Sequence, residues 1–428
     1  MTVDAAATPP SVRPPPRILA IAYTCVPGAG SEPGVGWTWA RILAGIGDVV
    51  VLTRPIRGFP VDLAGAAREM PEGDRIRFVE IDLPAWFTRV VDGGNARAPR
   101  LQRLQYLAWL IIALRAARRL HRRSRFDLVW HLTFANAWLG SFGPWVGPPF
   151  VFGPVGGGVT PPWRIVPSLG VRGAAFEIVR VIVRELSVHL NPLARRSVRH
   201  SDLILTQNED TQRWLPREGG RHAVVFPNAV LEVTPEERRP RSGPPTALFV
   251  GRLISWKGVH LAIRAIARLP EWRLLIAGDG REESALRRLA VDLGLADRVQ
   301  FLGWLERDEV FRLMSEEADA LIFPSLHDEA GMVVAEARAI GLPVVCLDRG
   351  GPPSLGGHGV EPAGLETTVD RLASAVEEVR RQPPEPSDVR DIPAARTALV
   401  RILRTAGLPA GEVAARERPV VEAHRDPG

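Results

Sequence analysis

The chain has 428 residues, 46% of them hydrophobic and 24% charged, with a formal net charge of +6. That length exceeds one ordinary core, so two domains are expected, and the composition excludes a disordered or fibrous chain. The two cysteines, Cys25 and Cys346, lie far apart; this argues against a disulfide framework and for a reducing, cytoplasmic compartment.

Residues 1–16 are small and proline-rich without an apolar core. They read as a disordered tail, not a secretory signal. The first strand follows at Arg17–Tyr23 and runs into a glycine-rich loop, Gly28 to Gly36. A helix is expected from about Trp37. Such a turn lets backbone amides approach an anion, with Gly30 as a candidate contact. Further short apolar runs predict buried parallel strands at Asp48–Thr53, Ile76–Ile81, Phe126–His131, Pro149–Phe152, Asp202–Gln207 and His222–Phe226.

Between the third and fourth strands, residues 93–126 carry nine arginines and no acid. Leu101, Leu104, Leu107, Ile111 and Leu114 recur at helical spacing within 97–125, with Trp86, Phe87 and Trp109 nearby. A basic amphipathic helix of this kind fits two readings: docking on an anionic membrane, or a core helix with solvated arginines. The longest mainly apolar run, Tyr106–Ala117, is too short to span a bilayer. No nucleic-acid module accompanies the arginines, so nucleic acid is not an expected partner.

Residues 234–245 have the composition of a linker. Beyond them, strands are predicted at Thr246–Val250, Trp272–Ala277, Arg298–Leu302, Asp319–Phe323 and Pro343–Leu347. Helices are predicted at Val259–Leu269, Glu282–Leu293, Asp308–Glu316 and Ala330–Ile340. The alternation argues for a parallel sheet with right-handed crossovers. The expected division is a tail at 1–16, one α/β domain at 17–240, a second at 241–385, a terminal helical segment at 386–408 and a tail at 409–428.

Of the 54 lysine and arginine residues, Lys257 is the only lysine. It stands with Arg252 in Gly251-Arg252-Leu253-Ile254-Ser255-Trp256-Lys257-Gly258, directly after a strand, where open α/β sheets bind ligands. Arginine grips a phosphate with two donors and lysine acts as a point charge. Farther on, a loop carries His327, Asp328 and Glu329, and a helix beginning near Gly331 carries Glu336. The amides of Gly331 to Val333 suit a phosphate or sugar oxygen, and Glu336 suits a ribose diol. Helix capping by Asp328 or Glu329 is the plainer alternative.

These residues resemble the donor domain of family 4 retaining glycosyltransferases, which have the two-domain GT-B fold. The matching motifs are Gly251-Arg252-Leu253 with Lys257-Gly258, Gly278-Asp279-Gly280, and Glu336 through Val345 running into Asp348-Arg349-Gly350-Gly351-Pro352. The likeness covers about 246–380. In the first half it is looser: the Gly28–Gly36 loop, Phe126 to His131, and Phe152 through Gly158. The resemblance implies two Rossmann-like domains facing each other across a cleft. It implies that Arg252 and Lys257 neutralise a departing diphosphate and that Glu336 binds ribose. It also implies that the first acid of a pair and His131 touch the donor sugar, and that the amides around Ala330, Gly331, Met332 and Val333 hold sugar or phosphate. Gly278 falls on the same donor side.

No metal or other cofactor is implied. The family pair is Glu-x7-Glu. Here it reads Asp328-x7-Glu336, with Glu329 one place late. The region 353–362 is short and matches the family glycines only in part. The implied function is retaining transfer from a nucleoside-diphosphate sugar to a glycan or lipid-linked acceptor, with catalysis by His131, Asp328, Arg252 and Lys257. A nucleotide-sugar epimerase on the same fold and a non-catalytic sugar-nucleotide binding protein are the rival readings.

Overall fold

The computed structural model describes residues 14–55, 61–92, 102–216, 222–232, 243–381 and 389–411. The expected tails fall almost wholly outside these segments, as does most of the expected linker.

All twelve predicted strands form, within three residues of their expected ends. The first sheet contains β1 (Arg17–Ala22), β2 (Asp48–Thr53), β3 (Ile76–Glu80), β4 (Leu128–Thr133), β5 (Phe150–Val155), β6 (Leu203–Thr206) and β7 (Ala223–Val225). It is wholly parallel, in the order β3-β2-β1-β4-β5-β6-β7. Its helices are α1 (Ser31–Ala44), α2 (Leu63–Arg68), α3 (Ala85–Asp92), α4 (Gln102–Ser124), α5 (Gly170–Leu190), α6 (Pro192–Arg199) and α7 (Glu209–Trp214). They cover both faces, which is why the central strands read as unbroken apolar runs. One face packs against Trp37, Trp39 and Ile42 of α1, the other against Tyr106, Trp109 and Ala113 of α4.

The second sheet contains β8 (Thr246–Val250), β9 (Arg273–Ala277), β10 (Val299–Gly303), β11 (Ala320–Phe323), β12 (Val344–Leu347) and β13 (His358–Val360). Its order is β10-β9-β8-β11-β12-β13, again parallel. The helices are α8 (Val259–Ala267), α9 (Glu283–Asp292), α10 (Arg307–Arg312), α11 (Met332–Ala339), α12 (Gly351–Ser354) and α13 (Leu365–Arg381). The short β13 occupies the region where the family glycines are incompletely matched.

The last helix, α14 (Ile392–Thr405), does not continue the second domain. It returns to the first, where Ile392, Ala395, Leu399 and Leu403 enter the core beside Trp39 and Ile42. Arg396 fixes the docking by donating to the Arg41 carbonyl at 3.0 Å and pairing with Glu72 at 3.2 Å. Cys25 and Cys346 are both buried and unbridged, small core residues as their type favours.

Three local expectations change. Helix α1 begins at Ser31, not near Trp37, so Gly34 and Gly36 lie inside it. A Cβ at Gly34 would sit 1.8 Å from the Ala29 carbonyl, and one at Gly36 2.1 Å from that of Thr24. Glycine is required there for close packing rather than for a loop. Strand β4 runs two residues farther than predicted, pairing Ile21 with His131 and Ala22 with Thr133, so His131 lies within the strand. Helix α4 turns Tyr106, Trp109, Leu110, Ala113 and Ala117 inward. Leu104 and Ile111 stay exposed, and Leu107 and Leu114 are half-buried. Leu101 lies outside the described residues. The leucines thus mark the outer side of a helix whose aromatic side is the core side. Among the described residues no helix is long and apolar enough to cross a membrane.

Candidate active site

Both sheets share the strand order that reverses direction beside the first strand of each domain. In such sheets ligands bind at the carboxyl ends of the strands where the order reverses. In the second domain that place lies between β8 and β11.

The loop after β8 is held by close backbone packing. A Cβ on Gly278, after β9, would lie 1.9 Å from the Gly251 carbonyl. The chain then makes one short turn, Ser255–Lys257, and ends it at Gly258 with φ +72°, where a Cβ would fall 2.0 Å from the Pro324 carbonyl. This contact brings Lys257 against the loop that follows β11. Its ammonium pairs with the Asp328 carboxylate and sits 4.9 Å over the Phe323 ring. The two charged side chains are only 18% and 16% exposed. The only lysine and the first acid of the predicted pair are therefore one partly shielded ion pair at the crevice. Arg252 is exposed on its rim.

Gly331, at φ +77°, caps α11 and turns the loop into the helix. The first amides of the helix, at Met332 and Val333, have no carbonyl one turn earlier and present a partial positive charge. Ala330 precedes them in the same loop. Glu336 lies one turn farther on, with Oε1 3.0 Å from the Arg307 guanidinium at the start of α10. Burial pushes its carboxyl up, and Arg307 opposes the shift. Next to this pair is a pocket of about 190 Å³ lined by Gly251, Arg252, Gly278, Asp279, Trp304 and Val310 among others. The Trp304 side chain is 65% exposed.

Asp328 and Glu329 go separate ways. Glu329 crosses to the first domain, where its carboxylate accepts from the Thr211 hydroxyl at 2.9 Å and from Asn208 Nδ2 at 3.1 Å. Asn208 Nδ2 also donates to the Glu329 carbonyl at 2.7 Å while its own oxygen caps α7. The glycine run after β5 makes room: a Cβ at Gly156 would touch the Glu329 side chain at 3.0 Å. The Gly350 amide donates to Asp210 Oδ2 at 2.7 Å, a second bridge. A third runs through α5. Phe176 stacks on Trp256 at 5.2 Å, Trp256 stacks on His327 at 5.5 Å, and His327 Nε2 lies 2.8 Å from Glu177. Burial works to raise the Glu177 carboxyl, but His327 and Arg180 hold it below its ordinary value.

The corresponding crevice of the first domain is different. Gly30 caps α1 there and is exposed. His131 is fully buried. Its Nδ1 meets Ser141 Oγ at 2.7 Å, and its Nε2 meets the Thr133 carbonyl at 3.0 Å and the Tyr106 hydroxyl at 3.2 Å. Burial lowers its pKa to about 4, so the ring is neutral. The structure thus buries His131 within β4, which continues two residues past it. Immediately after β4 comes Phe134 at φ +53°, whose amide donates to Glu32 at 3.3 Å. Burial raises the Glu32 carboxyl.

The structure brings together Arg252, Lys257, Gly278, Asp328, the Ala330–Val333 segment and Glu336. It turns Glu329 away and leaves His131 and Gly30 in the other domain. Sequence reasoning did not identify Arg307, Trp304, Glu177, Asn208 and Thr211, which sit on separate elements and share no motif spacing. Glu32 had a weak signal, two residues after Gly30 at a helix start.

Residues 232–394 match the family of glycosyl transferases group 1. A 2-deoxystreptamine glucosyltransferase of Streptomyces kanamyceticus is 29% identical over 293 residues, covering 62% of this chain and 73% of the relative. A lipopolysaccharide core biosynthesis glycosyltransferase, LpsE, of Rhizobium meliloti is 39% identical over 108 residues. That match covers 25% of this chain and only 31% of the relative's length. Among solved structures, Anabaena HepE in complex with UDP-glucose superposes with a TM-score of 0.51 at 16% identity, over 91% of this chain and all of that one. The chain has a GT-B fold, and its residues 232–394 match the glycosyl transferases group 1 family.

Proposed function

We propose that the chain moves a glycosyl group, with retention, from a nucleoside-diphosphate sugar to a hydroxyl of a glycan or lipid-linked acceptor. The observation that carries this reading is the Lys257–Asp328 pair at the strand-order reversal of the second sheet, beside Arg252 and the first amides of α11. A diphosphate placed there meets two cations and a helix N-terminus, which stabilise the negative charge that grows as the sugar leaves. Asp328 then receives a sugar hydroxyl, once Lys257 turns to phosphate. Glu336 takes the ribose diol. The pocket between Gly251, Gly278 and Trp304 takes the base, with the exposed indole stacking on it. The HepE complex, which contains UDP-glucose, supports this choice of donor.

In the reaction the bond from the sugar anomeric carbon to the diphosphate oxygen breaks. The acceptor oxygen bonds to that carbon on the same face, and its proton passes to the departing phosphate. No covalent protein nucleophile is needed, and the cations supply the charge stabilisation a metal would otherwise give. The test is a panel of nucleoside-diphosphate sugars, first by thermal shift and then by transfer to candidate acceptors, with the product's anomeric configuration read by NMR. A donor raises the melting temperature because it binds only the folded state. Lys257→Ala and Glu336→Ala should each abolish transfer while remaining folded. Transfer retained in both variants contradicts the assignment.

A further inference from the structure

Helix α5 is built inside out. At about 100° per residue, Gly173, Glu177, Arg184 and Val188 share one face, and all four are buried. The charged members are satisfied internally: Glu177 by His327 and Arg180, Arg184 by the Gly158 and Val159 carbonyls and Glu185. The opposite face holds Val171, Ile178, Val179, Ile182, Leu186 and Leu190, all exposed, with Val171 at 89% and Leu190 at 72%. Of the fourteen large hydrophobic side chains exposed among the described residues, eight lie on this one helix. Scattered single exposures are ordinary, whereas a continuous stripe marks a surface that meets something apolar.

The charge around the stripe indicates what it meets. From Val159 to Ser201 the only acids are Glu177 and Glu185. Glu177 is buried, and Glu185 is held by Arg184 and the Trp214 indole. Arg164 and Arg172 are exposed near the start of α5, and Arg195 and Arg196 lie on α6 directly after its end. The guanidinium of Arg196 stacks over Trp145 at 4.8 Å, and Arg118 of α4 donates to the Trp145 carbonyl at 2.9 Å. That shared residue joins α6 to the exposed Arg115, Arg119, Arg122 and Arg123 of α4. The result is an apolar stripe with basic residues at both ends and a basic flank.

A second copy of the chain is a poor occupant. Pairing two stripes, in either direction, sets basic ends against basic ends. A helix of this length offers a face of roughly 30 by 10 Å, or about 300 Å², against the ~800 Å² per partner of a stable interface. An anionic bilayer satisfies both features, taking the aliphatic face into its acyl boundary and the arginines at its headgroups. We propose that the outer face of α5 is a docking surface for anionic lipid bilayers. The membrane contact thereby moves from the leucine pattern of α4 to α5, with α4 and α6 supplying charge. Docking sets the Phe176–Trp256 and Glu177–His327 contacts, and with them the mouth of the crevice, near the headgroups. That arrangement fits a lipid-linked acceptor, but the docking itself does not rest on the proposed activity.

The test uses the full chain and no substrate, so it stands or falls separately from the transferase reading. Co-sedimentation is measured with vesicles of phosphatidylcholine alone and with phosphatidylglycerol added, at low and high salt. The chain should bind the phosphatidylglycerol vesicles and lose affinity as salt rises. The double variant Ile182→Asp, Leu186→Asp should lose at least about ten-fold in binding with an unchanged melting temperature, because both side chains already face solvent. Arg172→Glu with Arg195→Glu should weaken binding by about ten-fold or more. Ile182→Trp supplies a readout of gain: its fluorescence should shift to the blue on vesicles and be quenched by brominated acyl chains. Unaltered sedimentation of the aspartate variant, or an Ile182→Trp probe blind to vesicles, overturns the proposal. So does a wild-type dimer in analytical ultracentrifugation that the aspartate variant dissolves, which assigns the stripe to a second copy.

Discussion

The two domains place a crevice at the same topological point, and they furnish it in opposite ways. Both sheets reverse strand order beside their first strand, and both continue that strand into a glycine-containing loop and a helix. In the second domain the loops deliver Arg252, Lys257 and Asp328 to the opening, and helices α10 and α11 add Arg307 and Glu336. In the first, His131 is sealed in the core by Tyr106, Ser141 and Thr133, and Glu32 is the acid near the turn after β4. The topology supplies a place for a ligand twice. Among the described residues, the loops of the second domain present Arg252 and Lys257, the two cations that we propose meet a diphosphate.

Four substitutions sharpen this contrast. The largest effect should come from Lys257→Ala, which removes a charge aimed at the leaving group and should cut transfer by at least about 10²- to 10³-fold, leaving none detectable in a transfer assay. His131 should show a different dependence, on folding. Its pKa falls from 6.5 in the unfolded chain to about 4 in the folded one. The unfolded chain therefore takes up a proton first as pH drops. Stability is lost from about pH 6.5 down to 4, by up to ~3 kcal/mol. Denaturant titrations across that range should find a shallower loss in His131→Gln than in the wild type. An equal loss in both would contradict the buried, neutral ring.

Trp304→Ala should weaken nucleotide binding by about 1–3 kcal/mol, the usual worth of base–aromatic stacking, measured by calorimetry with the best donor of the panel. Arg307→Ala should change stability least, by less than about 1 kcal/mol, since the Arg307 side chain is 45% exposed although that of Glu336 is only 16% exposed. It should still alter donor affinity, because it leaves the Glu336 carboxylate unpaired. An Arg307→Ala protein with wild-type affinity would separate Glu336 from the donor site.

The sequence makes the strands legible because a parallel strand buried on both faces must be apolar throughout, as at Thr246–Val250 and Ala320–Phe323. The second crevice was legible for a similar reason. Arg252, Lys257, Asp328 and Glu336 fall within two strand-to-helix loops and one helix turn, so the chain order displays the site. Helix α5 was illegible because its polarity is inverted, with Glu177 and Arg184 inside and aliphatic residues outside. A hydrophobic period read along it points the wrong way. The burial of His131 inside β4 was illegible because the end of that strand depends on pairing with Ile21 and Ala22, more than a hundred residues away. The destination of Glu329 depends on Asn208 and Thr211 of the other domain, which no local pattern announces.

The central claim is that the second crevice, and not the first, binds the nucleotide through Lys257. Thermal shift with UDP and with the best nucleotide sugar of the panel tests it directly on wild type, Lys257→Ala and Glu32→Gln. The account predicts a ligand-induced rise in melting temperature for the wild type and for Glu32→Gln, and none for Lys257→Ala. A rise that survives Lys257→Ala and disappears in Glu32→Gln would place the nucleotide in the first domain and contradict the account.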